Sequence, residues 1–254
     1  MEDIKVQLTG LFEEMLTYLD KFNRHEYNDA FLTAFKKYEA FFESVAVLCE
    51  NTSRENRKVL IEEIALIIPV YVKELMNGIK KREKNKVEMN YNMNMAAYII
   101  PAFTYSQDFY LEKIAKRMVE LWNEKQVTSL TLGYSSYEEI VKGFKWKLCY
   151  ITTAVCEHQN KPDDCYELTL LRDYRDEYLL KSLGGREIVD EYYDIAPGIV
   201  MMINMQKNAD EIYQHVYQKY LTPCIRHIEE GRNEECRKIY MQMVRTLKKQ
   251  YLYS

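Results

Sequence analysis

The sequence predicts an all-α protein, a multi-helix bundle of roughly ten helices, and three observations carry that expectation. Only 8 glycines and 5 prolines punctuate 254 residues, so elements run long. Apolar residues recur at helical spacing through most of the chain. The single strand-like stretch, QVTSLTLGYSS, has no second strand with which to pair, and reads as a linker with at most a short extended piece near 127–134.

Residues 2–22 form the first expected helix, with Ile4, Leu8, Leu11, Phe12, Met15 and Leu19 on one face. A second runs over 26–49, where Phe31, Ala34, Phe35, Tyr38, Phe42 and Val45 share a face and Cys49 closes it as a small buried hydrophobe. Thr52 with Glu55 fits a capping box for a third helix that kinks or breaks near Pro69 and extends to about Lys84. Residues 85–92 read as a loop or a frayed helix start, and a fourth helix over 93–104 is interrupted by Pro101. Met89, Met93 and Met95 fit core filling rather than a soft-metal box, because their spacing mixes faces and no His or Cys accompanies them.

Ser106 caps a fifth helix to about Lys125, with Phe109, Leu111, Ile114, Met118, Leu121 and Trp122 inward. Ser135 and Ser136 with Glu138 and Glu139 open a short helix that Gly143 stops. Asp164 with Glu167 caps another to about Ser182, and Gly184-Gly185 makes a C-cap and hinge. A helical stretch over 186–194 follows, and Pro197 begins a new helix. Asn208 with Glu211 caps a helix ending at Gly231, and 233–251 is the last, basic toward its C-terminus as the helix dipole favours. The chain divides softly into an N-terminal helical region, 1–126, and a second, 127–254, which share one core or form two.

Hydrophobic residues make up 47% and aromatics 13%, enough for a sizeable core. A net charge of −4 argues against nucleic-acid binding, and the basic run Lys80–Lys86 reads as a solvated helix end. No apolar run approaches the roughly 20 residues a membrane helix needs. The N-terminus carries acids where a leader carries bases, so the expected compartment is the cytoplasm, where the six cysteines stay reduced.

Chemistry-bearing residues concentrate in 149–197. Cys149, Cys156, His158 and Cys165 offer three thiols and an imidazole, a tetrahedral zinc set by type. Their C-x6-C-x-H-x6-C spacing lacks the close pairs of a zinc knuckle, and packed, reduced cysteines are the competing reading. Cys149 is also a candidate catalytic nucleophile with His158, His215 or His227 as base, although its apolar setting points toward burial. Arg172, Arg175, Asp176, Arg186, Tyr192 and Tyr193 either lock helices through ion pairs and phenol hydrogen bonds, or line a pocket for an anion. Glu211 and His215, four apart on one helix, are a further metal-ligand pair with no third ligand placed.

The same stretch resembles the CFI-box family. It opens Cys149-Tyr150-Ile151-Thr152-Thr153-Ala154, continues Leu171-Arg172-Asp173-Tyr174-Arg175-Asp176, then Gly185-Arg186, and closes Tyr192-Tyr193 with Ala196-Pro197. Where relatives often carry Tyr-Gly after the small residues, this chain has Cys156-Glu157-His158. The resemblance implies a widespread microbial module, often at the C-terminal end of a longer protein, and no reaction. Together these readings lead to an interaction or binding module that uses 149–197, with an unknown protein or a small anionic ligand as partner and no cofactor. The alternatives are an enzyme acting on an anionic small substrate through Cys149 or the Arg/Tyr set, and a zinc-stabilised module. Oligomeric state is not written in the sequence.

Overall fold

The computed structural model describes residues 1–145 and 150–252, and within them the chain is helical with no strand. Packing divides it into two compact units, Met1–Gly143 and Phe144–Ser254. The 127–134 linker therefore goes with the first unit. Thr128 Oγ1 donates to Asn92 (2.7 Å), Asn123 Nδ2 donates to the Leu132 carbonyl (2.9 Å), and both bonds fasten it there.

In the first unit, α1 is Glu2–Leu16, followed by a 3-10 turn, Leu19–Lys21. α2 is Tyr27–Asn51 and α3 is Arg54–Asn77, with Pro69 inside it. α4 begins as Lys81–Asn94, passes through a π turn, Met95–Ile99, and ends as Ile100–Thr104. α5 is Phe109–Glu124 and α6 is Tyr137–Lys145. Residues 85–92, expected as a loop or a frayed helix start, lie within regular helix. Their apolar periodicity is broken because the inward face is itself polar: buried Asn92 accepts from Trp122 Nε1 (3.2 Å) and buried Glu88 accepts from the Ser129 hydroxyl (2.5 Å).

Residues 92–104 are buried throughout, mostly by apolar side chains, so this half of α4 forms the central helix of the unit. Leu8, Leu11, Phe12 and Met15 of α1 and Phe31 and Phe42 of α2 are buried with it, the Phe42 and Phe103 rings meeting edge-on at 5.1 Å. Pro101 does not interrupt the helix. It lacks the N–H that would pair with the Ala97 carbonyl, and the π turn falls directly before it. Tyr27 Oη donates to that Ala97 carbonyl (2.7 Å) and Ser135 Oγ to the neighbouring Ala96 carbonyl (2.6 Å), so both orphaned acceptors are satisfied.

Several caps differ from expectation. Ser53, not Thr52, caps α3, accepting from the Asn56 amide, while the Thr52 hydroxyl turns back to the Leu48 carbonyl. Asp108, not Ser106, caps α5, accepting from the amides of Tyr110 and Leu111, and Phe109 is 62% exposed rather than inward. Asp108 is the residue with extended backbone directly before α5, where its carboxylate reaches both free amides. Ser136 and Glu139 form the reciprocal capping box of α6, which runs past Gly143.

In the second unit, α7 is Tyr150–His158 and α8 is Tyr166–Asp173, extended by a π turn, Tyr174–Tyr178, and a 3-10 turn, Leu179–Lys181. α9 is Gly185–Asn204. α10 is Ala209–Val216, continued by a π turn, Tyr217–Leu221, and by Thr222–Glu229. α11 is Asn233–Tyr251. Pro197 starts no new helix: α9 runs through it, because Val189, Tyr192, Tyr193, Ala196, Ile199 and Ile203 form one continuous buried stripe on both sides. Cys165 takes the N-cap position of α8 without a side-chain cap bond, and Asn208 likewise makes none at α10. Pro223 follows a π turn just as Pro101 does.

Candidate functional site

The described part of the 149–197 segment lies across α7, α8 and α9, and many of its polar groups bond one another, α10 or α11. The Tyr192 hydroxyl is buried and accepts from the Ile151 amide (2.9 Å), one of the unpaired donors at the start of α7. Tyr174 Oη donates to the Asn233 carbonyl (2.9 Å) and Tyr178 Oη to Glu234 Oε1 (2.7 Å), tying α8 to the start of α11. Burial pushes the Tyr174 phenol well above its ordinary range, with the Cys236 thiol beside it adding to the effect. Lys248 reaches back to Glu191 on α9 (2.6 Å).

The arginines do not converge on one cavity. Arg172 Nη2 meets Asp163 Oδ1 (2.6 Å) and Nη1 donates to the Asp163 carbonyl (2.8 Å), closing the loop before α8. Arg175 is mostly buried. Its Nε and Nη2 grip both oxygens of Asp176 (2.7 Å each), and Nη1 donates to Tyr193 Oη (2.7 Å). That is the bidentate fork a guanidinium makes with a carboxylate, here made within the chain. Arg186 sits past the Gly-Gly pair and is exposed.

Cys149, the candidate nucleophile and zinc ligand, lies outside the described residues. His158 pairs through its Nδ1 with Asp210, and its ring stacks on Tyr213 at 4.3 Å. Cys156 is fully buried, and burial followed by its hydrogen bond with Cys165 pushes its thiol up to about 12. Among the described residues no group of three or more His, Cys, Asp or Glu side chains is placed to hold a metal ion. Of the other two histidines considered as bases, His227 is buried, and burial followed by Arg232 and Arg226 holds its ring below the usual imidazole range. His215 is exposed on α10 with Glu211 and Lys219, in a shallow groove of about 300 Å³ opposite Thr246 and Gln250.

Two features escaped the sequence reading. Lys161 pairs with Glu167 and donates to Tyr217 Oη (3.1 Å), beside Cys165, and the ammonium holds the Glu167 carboxyl below its ordinary value. Spacing gives only Lys161 and Glu167 near each other; Tyr217 comes from α10. The other feature is how the turn at 182–185, expected as a C-cap and hinge, is held and what it presents: Gly184 is the N-cap of α9. Gly184 is left-handed at φ 69°, and a Cβ on Gly185 would lie 1.7 Å from the Leu179 carbonyl oxygen, so both positions require glycine. The Ser182 hydroxyl and amide both donate to the Leu179 carbonyl (2.7 and 3.1 Å), the Gly185 amide to the Ser182 carbonyl (3.0 Å), and Arg237 Nη2 to the Leu183 carbonyl (2.7 Å). Leu183, at the tip, is 94% exposed. The Ser-Leu-Gly-Gly run marks a turn, but nothing in it says that the leucine faces outward.

The fold and this segment define an all-α helical bundle with a locked, tyrosine-rich second unit. Comparison with family models, curated proteins and solved structures returns no match. No helix among the described residues is long and apolar enough to cross a membrane.

Proposed function

We propose that the chain is a non-enzymatic interaction module of the CFI-box kind, working in the cytoplasm, whose 149–197 segment holds a rigid turn that offers Leu183 to a protein partner. The observation that carries this reading is the combination of near-total exposure of a leucine with a turn fixed by two obligatory glycines and four hydrogen bonds. An exposed leucine alone is ordinary. A pre-ordered one loses little conformational entropy on binding, the condition under which a single apolar side chain anchors an interface. Exposed Lys181, Arg186 and Glu187 surround it as a charged rim. The partner expected is a protein with an apolar pocket and a mixed-charge border.

The enzyme alternative runs through Cys149 or through the Arg/Tyr set; the second form needs that set to face one cavity, and Arg172 and Arg175 are instead engaged by Asp163 and by Asp176 with Tyr193. The test is photo-crosslinking in cells, with a benzophenone side chain at position 183 and, as control, at exposed Val59 on α3. A discrete covalent complex from position 183 alone, weakened by Arg186→Glu, is expected. Identical products from both positions, or none from 183, would count against an interface there.

A further inference from the structure

On the basis of the Leu183 interface, we propose that the protein partner is a second copy of this chain, which receives the leucine in the groove between α10 and α11. That groove is an apolar pocket with a mixed-charge border, the complement that Leu183 and its rim call for. Its floor is apolar: Val216, Tyr220 and Leu247 are buried and line it beside Ile212. Its volume of about 300 Å³ lies at the small end of binding pockets, room for one leucine and its flanks but not for a long peptide. Glu211, His215 and Lys219 follow one another along α10 at its border, all exposed, with the neutral Thr246 and Gln250 of α11 as the other edge.

The charges on the two surfaces are complementary. Beside Leu183, the exposed side chains of Arg186 and Glu187 make no hydrogen bond or ion pair among the described residues, and the same holds for Glu211 and His215 at the groove. Lys219 lies 5.2 Å from the Tyr220 ring and has no carboxylate partner among the described residues. Elsewhere in the second unit Lys161, Arg172, Arg175 and Lys248 all hold carboxylates. Each surface thus offers one cation and one anion: Arg186 with Glu187 on the turn, Lys219 with Glu211 on the groove. Docked, Arg186 meets Glu211 and Glu187 meets Lys219, with the leucine between the two pairs. Such pairs fix register and reject wrong partners, while the buried apolar anchor supplies the affinity.

The placement of the two surfaces decides how copies join. The turn is held at the start of α11, where Arg237 donates to the Leu183 carbonyl (2.7 Å) and the Asn233 carbonyl accepts from Tyr174 (2.9 Å). The groove lies at the other end of that helix, against Leu247 and Tyr251. The helix from Arg237 to Leu247 separates them by about 15 Å, so a chain does not fill its own groove. Turn and groove are different patches, and the contact is heterologous: each copy gives its turn to one neighbour and takes another turn in its groove.

The test uses the purified full chain. Sedimentation velocity should show association that rises with concentration, and Leu183→Ser should abolish it. Arg186→Glu with Glu187→Arg should weaken association about tenfold, as should Glu211→Arg with Lys219→Glu. The two reversals combined should restore it to within about threefold of wild type. All four charged positions are exposed, and circular dichroism checks the folding of every variant. Benzophenone at position 183, photolysed in the purified chain, should give a covalent dimer linked to α10 or α11 peptides that line the groove. A chain that stays monomeric, a link mapped away from the groove, or reversals that fail to restore one another would overturn the second copy as partner. A complex from position 183 in cells with none from the purified chain overturns self-association and leaves the Leu183 interface standing; no product in either overturns both.

Discussion

The carbonyl oxygen of Leu179 stands where a Cβ of residue 185 would fall, 1.7 Å away, so Gly185 and Leu179 fit only because one of them has no side chain. The same carbonyl accepts from Ser182, and the turn that carries Leu183 closes over it. Gly185→Ala should therefore destabilise the chain by about 3 kcal/mol through forced displacement of backbone. Gly184→Ala, which meets only the left-handed φ, should lose about 1–2 kcal/mol. Urea unfolding followed by circular dichroism measures both, and the order of the two effects is the informative outcome.

Arg175 and Arg186 both lie in 149–197, yet of the two only Arg175 is engaged as a planar fork. Arg175→Lys cannot reproduce the bidentate grip on Asp176 together with the bond to Tyr193, and should lower stability by about 1–2 kcal/mol. Arg186→Lys, at an exposed position, should stay within about 0.5 kcal/mol of wild type. Equal losses would mean that the lock is not centred on Arg175.

In the first unit, Tyr27→Phe removes the donor to the Ala97 carbonyl and leaves a buried acceptor beside Pro101 unpaired. A loss of about 1–3 kcal/mol is expected. Tyr166→Phe, whose hydroxyl bonds Glu229 at the surface, should change stability by less than about 0.5 kcal/mol. Differential scanning calorimetry on the two variants makes the comparison.

Alkali should unfold the chain through its tyrosines. Burial and the Glu14 hydrogen bond raise the Tyr38 phenol to about 12, and the Glu13 hydrogen bond and burial do the same for Tyr71. Buried Tyr27 is raised as well. These groups stay protonated in the fold while an unfolded chain ionises near the ordinary value of 10. Stability is thus complete below pH 10 and is lost as pH rises toward 12. Urea midpoints at about pH 9 and about pH 11 should differ less in Tyr38→Phe than in wild type.

Much of the fold was legible because most helices present an unmixed apolar face. Leu8, Leu11, Phe12 and Met15 announce α1, and the Ser136–Glu139 pair announces the start of α6. The beginning of α4 was not legible, since Glu88 and Asn92 point inward and a periodicity of apolar residues cannot register a buried polar face. Pro101 and Pro197 read as breaks because the sequence does not display what surrounds them: a phenol from α2 in one case, a continuous buried stripe in the other. In 149–197 the residue types favoured an internal lock over an anion pocket without excluding the pocket. Only the partners decide between these, and Asp163, Tyr193 and Arg237 are chosen by the packing of helices rather than by spacing. Leu183 was invisible, as one more apolar residue beside a turn.

The most direct measurement of the central claim is native-state hydrogen exchange at the amides of Ser182 and Gly185, which bond the carbonyls of Leu179 and Ser182. A turn locked in advance of any partner should show protection in the free protein within about tenfold of the buried core of α9, although Leu183 between them is open to solvent. Exchange of both amides at the rate of an unstructured peptide would contradict a pre-ordered turn, and with it the interface proposed for this segment.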